Sequence, residues 1–174
     1  MSEKKAIKNW FARHAEGEAK KDSIPFSERA GGTVASFLAT LLFLGFFVVH
    51  QTSSTGFFTS KFGPAETFLL YAPALFGLVM AVAKGFVGRK NMLRPFDILD
   101  MVLSTVTLVW LFVVFPFDFS HLADVLPNSL RFLLLWFSND VAKVLMAIGI
   151  IVIPIATVYI ATLYVFVRRE LSKS

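Results

Sequence analysis

The stretch that decides the fold reads ETFLLYAPALFGLVMAVAKGFV from Glu66 to Val87, GRKNMLRP from Gly88 to Pro95, and FDILDMVLSTVTLVWLFVVFPF from Phe96 to Phe117. Each apolar run has about the 20 residues that a helix needs to cross a bilayer, and the link between them carries Arg89, Lys90 and Arg94. The pattern is that of a helical hairpin crossing a membrane and returning. Its outgoing arm sets Ala74, Gly77, Ala81, Gly85 and Gly88 three or four residues apart, so that small side chains line one helical face. No water drives helices together in lipid, and a small-residue face lets backbones approach closely. This face is expected to pack within the bundle.

The returning arm places Asp97, Asp100, Ser104 and Thr107 at steps of three, four and three, again on one face. With Lys84 they form an expected intramembrane polar cluster, in which Lys84 pairs with Asp97 or Asp100. The alternative leaves all three charges at headgroup level in contact with water, where snorkelling is cheap.

Composition agrees with the hairpin. Of 174 residues, 56% are hydrophobic and 17% charged, with a mean hydropathy of +0.67, whereas soluble domains carry about 25% charged residues. Twenty Phe suit lipid-facing positions and aromatic belts. The absence of cysteine excludes disulfides, thiolate metal sites and cysteine catalysis, and leaves the redox compartment unread. The basic balance, a pI of about 9.6, is assigned to the positive-inside rule rather than to nucleic acid.

Outward from the hairpin, residues 1–31 are polar and basic. Ile7, Trp10, Phe11 and His14 recur at helical spacing opposite Lys4, Lys5 and Arg13. This predicts a membrane-surface helix on an anionic leaflet, built on Lys4, Lys5, Ile7, Trp10 and Phe11, with docking on the rest of the protein as the alternative. Glu16 to Ser23 is expected to be a flexible link. The first apolar run starts too late and is too long for a signal peptide. Thr33, Ser36 and Thr40 share a face of the first span, and His50 ends it. Pro64 with Glu66 marks the start of the second span, and Pro73 lies near its outer end.

Between the third and fourth spans, LRFLLLWF at 130–137 is apolar but too short to cross. It is expected to lie along the interface, capped by Asn128 or Ser129, with a re-entrant dip as the sharper alternative. The last span follows the capping candidate Asp140, bends at Pro154 and closes on Arg168 and Arg169.

The expected fold is therefore all-α: a polytopic integral membrane protein with four transmembrane helices, an N-terminal amphipathic helix and a short interfacial helix between spans three and four. The spans are set at about 33–50, 66–87, 96–117 and 141–167, with the interfacial segment at about 120–139. They divide the chain into a basic segment over 1–31, a four-helix transmembrane domain over 32–168 and a tail over 169–174. Seven basic residues precede the first span, four surround the central link and three follow the last, against Lys61, Arg131 and Lys143 on the other side. Fourteen against three places both termini in the cytoplasm, and the expected location is the cell membrane.

The search for chemistry gives little. His50 and His121 fall on the same side and could in geometry serve as axial haem ligands, but boundary histidines are more often solvated. Asp118, Asp124 and Asp140 are scattered loop carboxylates rather than a cation site. No phosphate loop, nucleophile elbow or zinc-protease helix is present. The middle thirds of the spans lack charge, which disfavours a membrane enzyme or an autonomous ion-coupled pump. No catalytic residue, cofactor or metal is assigned. The expected role is a non-enzymatic accessory or structural subunit whose partners are the lipid bilayer and other membrane subunits or copies of itself. The alternatives are a small oligomeric transporter, channel or lipid-handling protein, and a cofactor-binding electron-transfer subunit using His50 and His121.

Overall fold

The computed structural model describes the backbone of residues 2–173 and the side chains from Trp10 onward. Over these residues the chain forms five α-helices: α1 (Ser2–Lys20), α2 (Phe26–Thr52), α3 (Pro64–Phe86), α4 (Lys90–Val114) and α5 (Asn139–Leu171). The last four are long and apolar enough to cross a membrane. Their lipophilic side chains stay on the outside, with Leu42, Val113 and Val158 each at least two-thirds exposed.

Each long helix packs on its neighbour in sequence, α2 on α3, α3 on α4 and α4 on α5, while α1 returns onto α5. Among the described residues α2 makes no backbone approach to α4 or α5, so the bundle is open on one side. Local chemistry sets the helix ends. Pro64 occupies the first turn of α3, and Glu66 Oε2 reaches back to accept the Gly63 N–H at 3.0 Å. α4 stops at Phe115, whose φ of 42° is left-handed, and Pro116 follows.

Several boundaries differ from the sequence-based expectation. α2 begins at Phe26 rather than at about 33, immediately after Pro25, whose fixed φ suits a helix entry. α4 begins at Lys90 rather than Phe96 and runs through Pro95. Its first two N–H groups are satisfied from a distance, since the Asp22 carbonyl accepts from Lys90 N at 2.9 Å and the Asp22 carboxylate accepts from Asn91 N at 2.7 Å. The cap of α5 is Ser138, whose hydroxyl accepts from Val141 N at 3.3 Å, and Asp140 lies in the first turn instead. In place of one interfacial helix at 120–139 there are two single 3-10 turns, Phe119–His121 and Arg131–Leu133. Pro127 interrupts the segment, and Arg131 ties it into a loop by donating to the carbonyls of Leu126 and Asp124 at 3.3 Å each. Neither Asn128 nor Ser129 caps the second turn, which has no side-chain cap.

The N-terminal region is also more ordered than a flexible link. α1 extends through Lys20, and Glu18 Oε2 accepts from Arg94 at 2.6 Å. Ile24 N donates to Gly88 O at 2.9 Å. α1 docks on the distal part of α5: Ala15 is fully buried beside Leu163 and Val167, and Phe11 stacks on Phe166 at 5.9 Å. Phe11 is part-buried against α5, the docked alternative of the sequence reading, while Trp10 remains half exposed. The side chains of Lys4, Lys5 and Ile7 lie outside the described residues.

Candidate functional site

The open side of the bundle is a cleft with α3 as its floor and α2 and α4 as its walls. The small-residue face of α3 divides along its length. A side chain at Gly85 would meet Thr33 Oγ1 at 3.0 Å and one at Gly88 would meet the Arg29 guanidinium at 3.1 Å, so here α2 closes on α3 through the absence of a Cβ. Ala81 is buried. Farther along, Gly77 has nothing within 4 Å of where a Cβ would stand, and Ala74 and Gly77 line open space. Gly77→Ala is therefore expected to leave thermal stability unchanged or slightly raised, through helix propensity. Gly85→Val should separate α2 from α3 and lower the thermal midpoint by several degrees. Equal responses of the two variants in a melt of the detergent-solubilised protein would show that the face does not divide.

The polar residues of α4 also separate. Lys84 Nζ lies 2.7 Å from Asp97 Oδ1, making Asp97 rather than Asp100 its partner. Asp100, one turn farther along, faces the cleft with Ser104 and Thr107, and the Thr107 hydroxyl donates to Leu69 O at 3.1 Å. Thr40 of α2 joins the same lining, its hydroxyl donating to Ser36 O at 2.9 Å.

Two cavities stand end to end in the cleft. The one at the basic end, about 360 Å³, lies among the start of α2, the end of α3 and the start of α4. The next, about 520 Å³, continues along Thr40, Phe43, Ala74, Gly77, Asp100 and Leu108. The helical steps from Ser36 to Thr40, Ala81 to Gly77 and Asp97 to Asp100 carry the walls of the first into the second.

At the opposite end the loops form a lid of aromatic rings. Phe57 is fully buried, with rings of Phe47, Phe58, Phe117 and Phe119 around it at 5.0–5.6 Å. The two loops are joined through backbone bonds from Asp118 N to Phe57 O at 2.7 Å and from Thr59 N to Pro116 O at 3.0 Å. His50 is buried beneath them. Its Nε2 lies 3.2 Å from Leu122 O and so carries the proton, while Nδ1 accepts from the Thr55 hydroxyl at 2.7 Å in the neutral ring. With both nitrogens engaged, His50 works as a crosslink between α2 and the loop. His121 Nδ1 is held by Asp124 at 2.8 Å, and its ring lies over Gly56. Among the described residues no three His, Cys, Asp or Glu side chains gather as a metal site.

Asp118 fastens the lid to α5. It accepts from the Ser120 hydroxyl at 2.7 Å and amide at 3.1 Å, and from Asn139 Nδ2 at 3.3 Å. The Ser120 hydroxyl, then its amide, hold the Asp118 carboxyl below the usual aspartate range. A depressed folded value means that this contribution is complete above about pH 4 and is lost as the pH falls through the folded value. Wild type should lose thermal stability on acidification below about pH 4, and Asp118→Asn should be lower at neutral pH with a flatter acid response. Identical acid profiles for the two proteins would remove Asp118 from this role.

Sequence reasoning missed the contributions of Glu18, Asp22 and Arg94, and of Arg29 with Thr33 at the basic cavity. The only local signal was charge near the helix ends for Glu18, Asp22, Arg29 and Arg94, and helical spacing with Ser36 and Thr40 for Thr33. Comparisons with family models, curated proteins and solved structures return no match to this chain.

Proposed function

We propose that this is an integral membrane protein that acts as a non-catalytic subunit and offers the α2–α4 cleft to a partner helix or to a second copy of itself. The four apolar helices cross the bilayer, both termini and the Gly88–Pro95 link lie on the cytoplasmic side, and the aromatic lid lies outside. Support for the membrane comes from lipophilic surface on helices of spanning length. Support for orientation comes from fourteen of the basic residues falling at one end. Trp10, half exposed on α1, and Trp136, exposed beside the second 3-10 turn, suit the two interfaces.

The observation that carries the subunit role is the uncovered floor of the cleft. Gly77 and Ala74 present a bare helical face between two walls, which in lipid is the surface on which another helix gains the closest contact. Mass measurement in mild detergent tests it. A hetero-complex or a homo-oligomer that disperses on Gly77→Leu is the expected result, and a monomer indifferent to that change would sink the reading.

A second reading is a small transporter, channel or lipid-handling protein, favoured by the polar lining of Thr40, Asp100, Ser104 and Thr107. The chain lacks cysteine, so a single Ser104→Cys reports on the cleft directly. Rapid modification by a charged thiol reagent from the cytoplasmic side points to a wet vestibule, and protection points to a dry, helix-filled cleft.

A further inference from the structure

The basic cavity is charged beyond its internal needs. Lys84 is neutralised by Asp97 at 2.7 Å, and Arg94 by Glu18 at 2.6 Å. Three cations on the cavity wall remain, Arg29, Arg89 and Lys90, and among the described residues none of them has an acidic partner. The carboxylate left on the wall is Glu28, which is exposed. Two buried polar atoms here are unsatisfied: the Arg29 Nε and the Thr33 hydroxyl, whose oxygen has no partner among the described residues. Arg29 is nonetheless positioned, its Nη1 donating to Phe86 O at 3.2 Å and its guanidinium standing 5.7 Å over the Phe26 ring.

A pre-positioned guanidinium and two further cations on the link form the donor set that recognises a phosphate oxyanion. The surplus of three cations over one carboxylate can balance a phosphate dianion and more than balances the single charge of a phosphodiester. We infer that the cavity among Arg29, Thr33, Arg89 and Lys90 is a binding site for a phosphate group, supplied by an anionic phospholipid or by a soluble phosphate. Its place at the cytoplasmic end of the proposed topology is where anionic headgroups concentrate. The open groove above it runs on along apolar residues such as Phe43 and Leu108, as an acyl chain would require. The inference rests on the membrane placement but not on the subunit role: the phosphate cavity is separate from the segment of cleft offered to a helix, and an acyl chain in that segment would take the helix's place.

The test uses the full chain in neutral detergent, titrated separately with phosphatidylglycerol, phosphatidylcholine and inorganic phosphate, with thermal midpoint and native mass as readouts. Phosphatidylglycerol is expected to bind at least tenfold more tightly than phosphatidylcholine, with an affinity that falls on raising salt. The R29Q/R89Q/K90Q variant should lose that preference. The R89Q/K90Q variant, which leaves the Arg29 bond to Phe86 in place, should lose part of it and guards against misfolding of the triple variant. Protection by phosphatidylglycerol alone supports the site with lipid as its source; protection by inorganic phosphate as well supports it with a soluble source. Equal binding of the two lipids with no phosphate effect, or an anion preference unchanged in both variants, overturns it. Labelling of single cysteines at the exposed Ser60 and Ser172 checks the topology independently, so a failure of the membrane placement is distinguished from a failure of the site.

Discussion

Removing the Glu18 carboxylate is expected to destabilise the protein more than removing the Arg94 guanidinium. The two groups meet at 2.6 Å, but the Arg94 side chain keeps 10% of its exposure and that of Glu18 27%. Glu18→Ala therefore strands the more buried charge. Breaking a buried pair by deleting one partner costs about 3 to 5 kcal/mol, because the remaining charge is left without compensation. We expect Glu18→Ala to cost about 3 kcal/mol. Arg94→Met retains most of the side-chain volume and leaves a glutamate still in reach of water, so it should cost less. Combining Glu18→Leu with Arg94→Met, which replaces both charges by apolar side chains, should recover much of the loss.

The same pair anchors the segment that caps α4. Glu18 lies four residues before Asp22, whose carbonyl and carboxylate receive the first two N–H groups of α4. Loss of the pair should therefore expose the peptide bonds after Lys20 and Lys21 to trypsin at rates well above wild type. Denaturant unfolding in micelles with limited proteolysis measures both effects. If Glu18→Ala unfolds as wild type does and stays resistant to trypsin, the ion pair is not what holds the N-terminal region in place.

The second large effect is expected at Phe57. This ring is wholly buried at the centre of the lid, and its backbone carbonyl receives Asp118 N from the opposite loop. Truncating a buried Phe to Ala costs about 3 to 5 kcal/mol through lost transfer energy and the cavity left behind. The neighbours are also rings, carried on loops fixed to one another by backbone hydrogen bonds, so collapse into the cavity is restricted. Phe86→Ala is the control. That ring is 83% exposed and should stay within about 0.5 kcal/mol of wild type. A thermal melt of both variants decides the matter, and a cysteine at Thr59 reports on loosening of the lid through faster thiol labelling in Phe57→Ala. Similar melts for the two variants would mean that the lid contributes little to stability.

Much of the architecture was legible in the residues themselves. Apolar length alone marks the four long helices, because a run of some 20 mostly apolar residues with at most two charges has few alternatives, and the start at Pro64 and Glu66 follows from local capping chemistry. The divergences have two sources, a partner from far along the chain at α4 and local side-chain to backbone bonds elsewhere. Pro95 read as a helix boundary because a proline usually is one, yet α4 runs through it with its first turn held by Asp22. The segment at 130–137 read as a helix by composition, yet it is wound into turns by Arg131 bonding to preceding carbonyls.

The candidate site shows the same division. Helical spacing was enough to put Ala74, Gly77, Ala81, Gly85 and Gly88 on one face, and Asp97, Asp100, Ser104 and Thr107 on another, since 3.6 residues per turn is a property of the backbone. Which part of the small face would be covered, and which aspartate Lys84 would take, depended on the rotation and offset of α2 and α4 about α3. Those are set by contacts such as the packing of the Thr33 side chain where Gly85 carries none, and the bond from the Trp110 indole N–H to Glu66 at 2.9 Å. Hydropathy, charge bias and periodicity add up along the chain and so could be read from it. The open cleft, the docking of α1 on α5 and the unpaired cations at the basic cavity arise from pairwise distances between segments remote in sequence, and these came into being only when the helices packed.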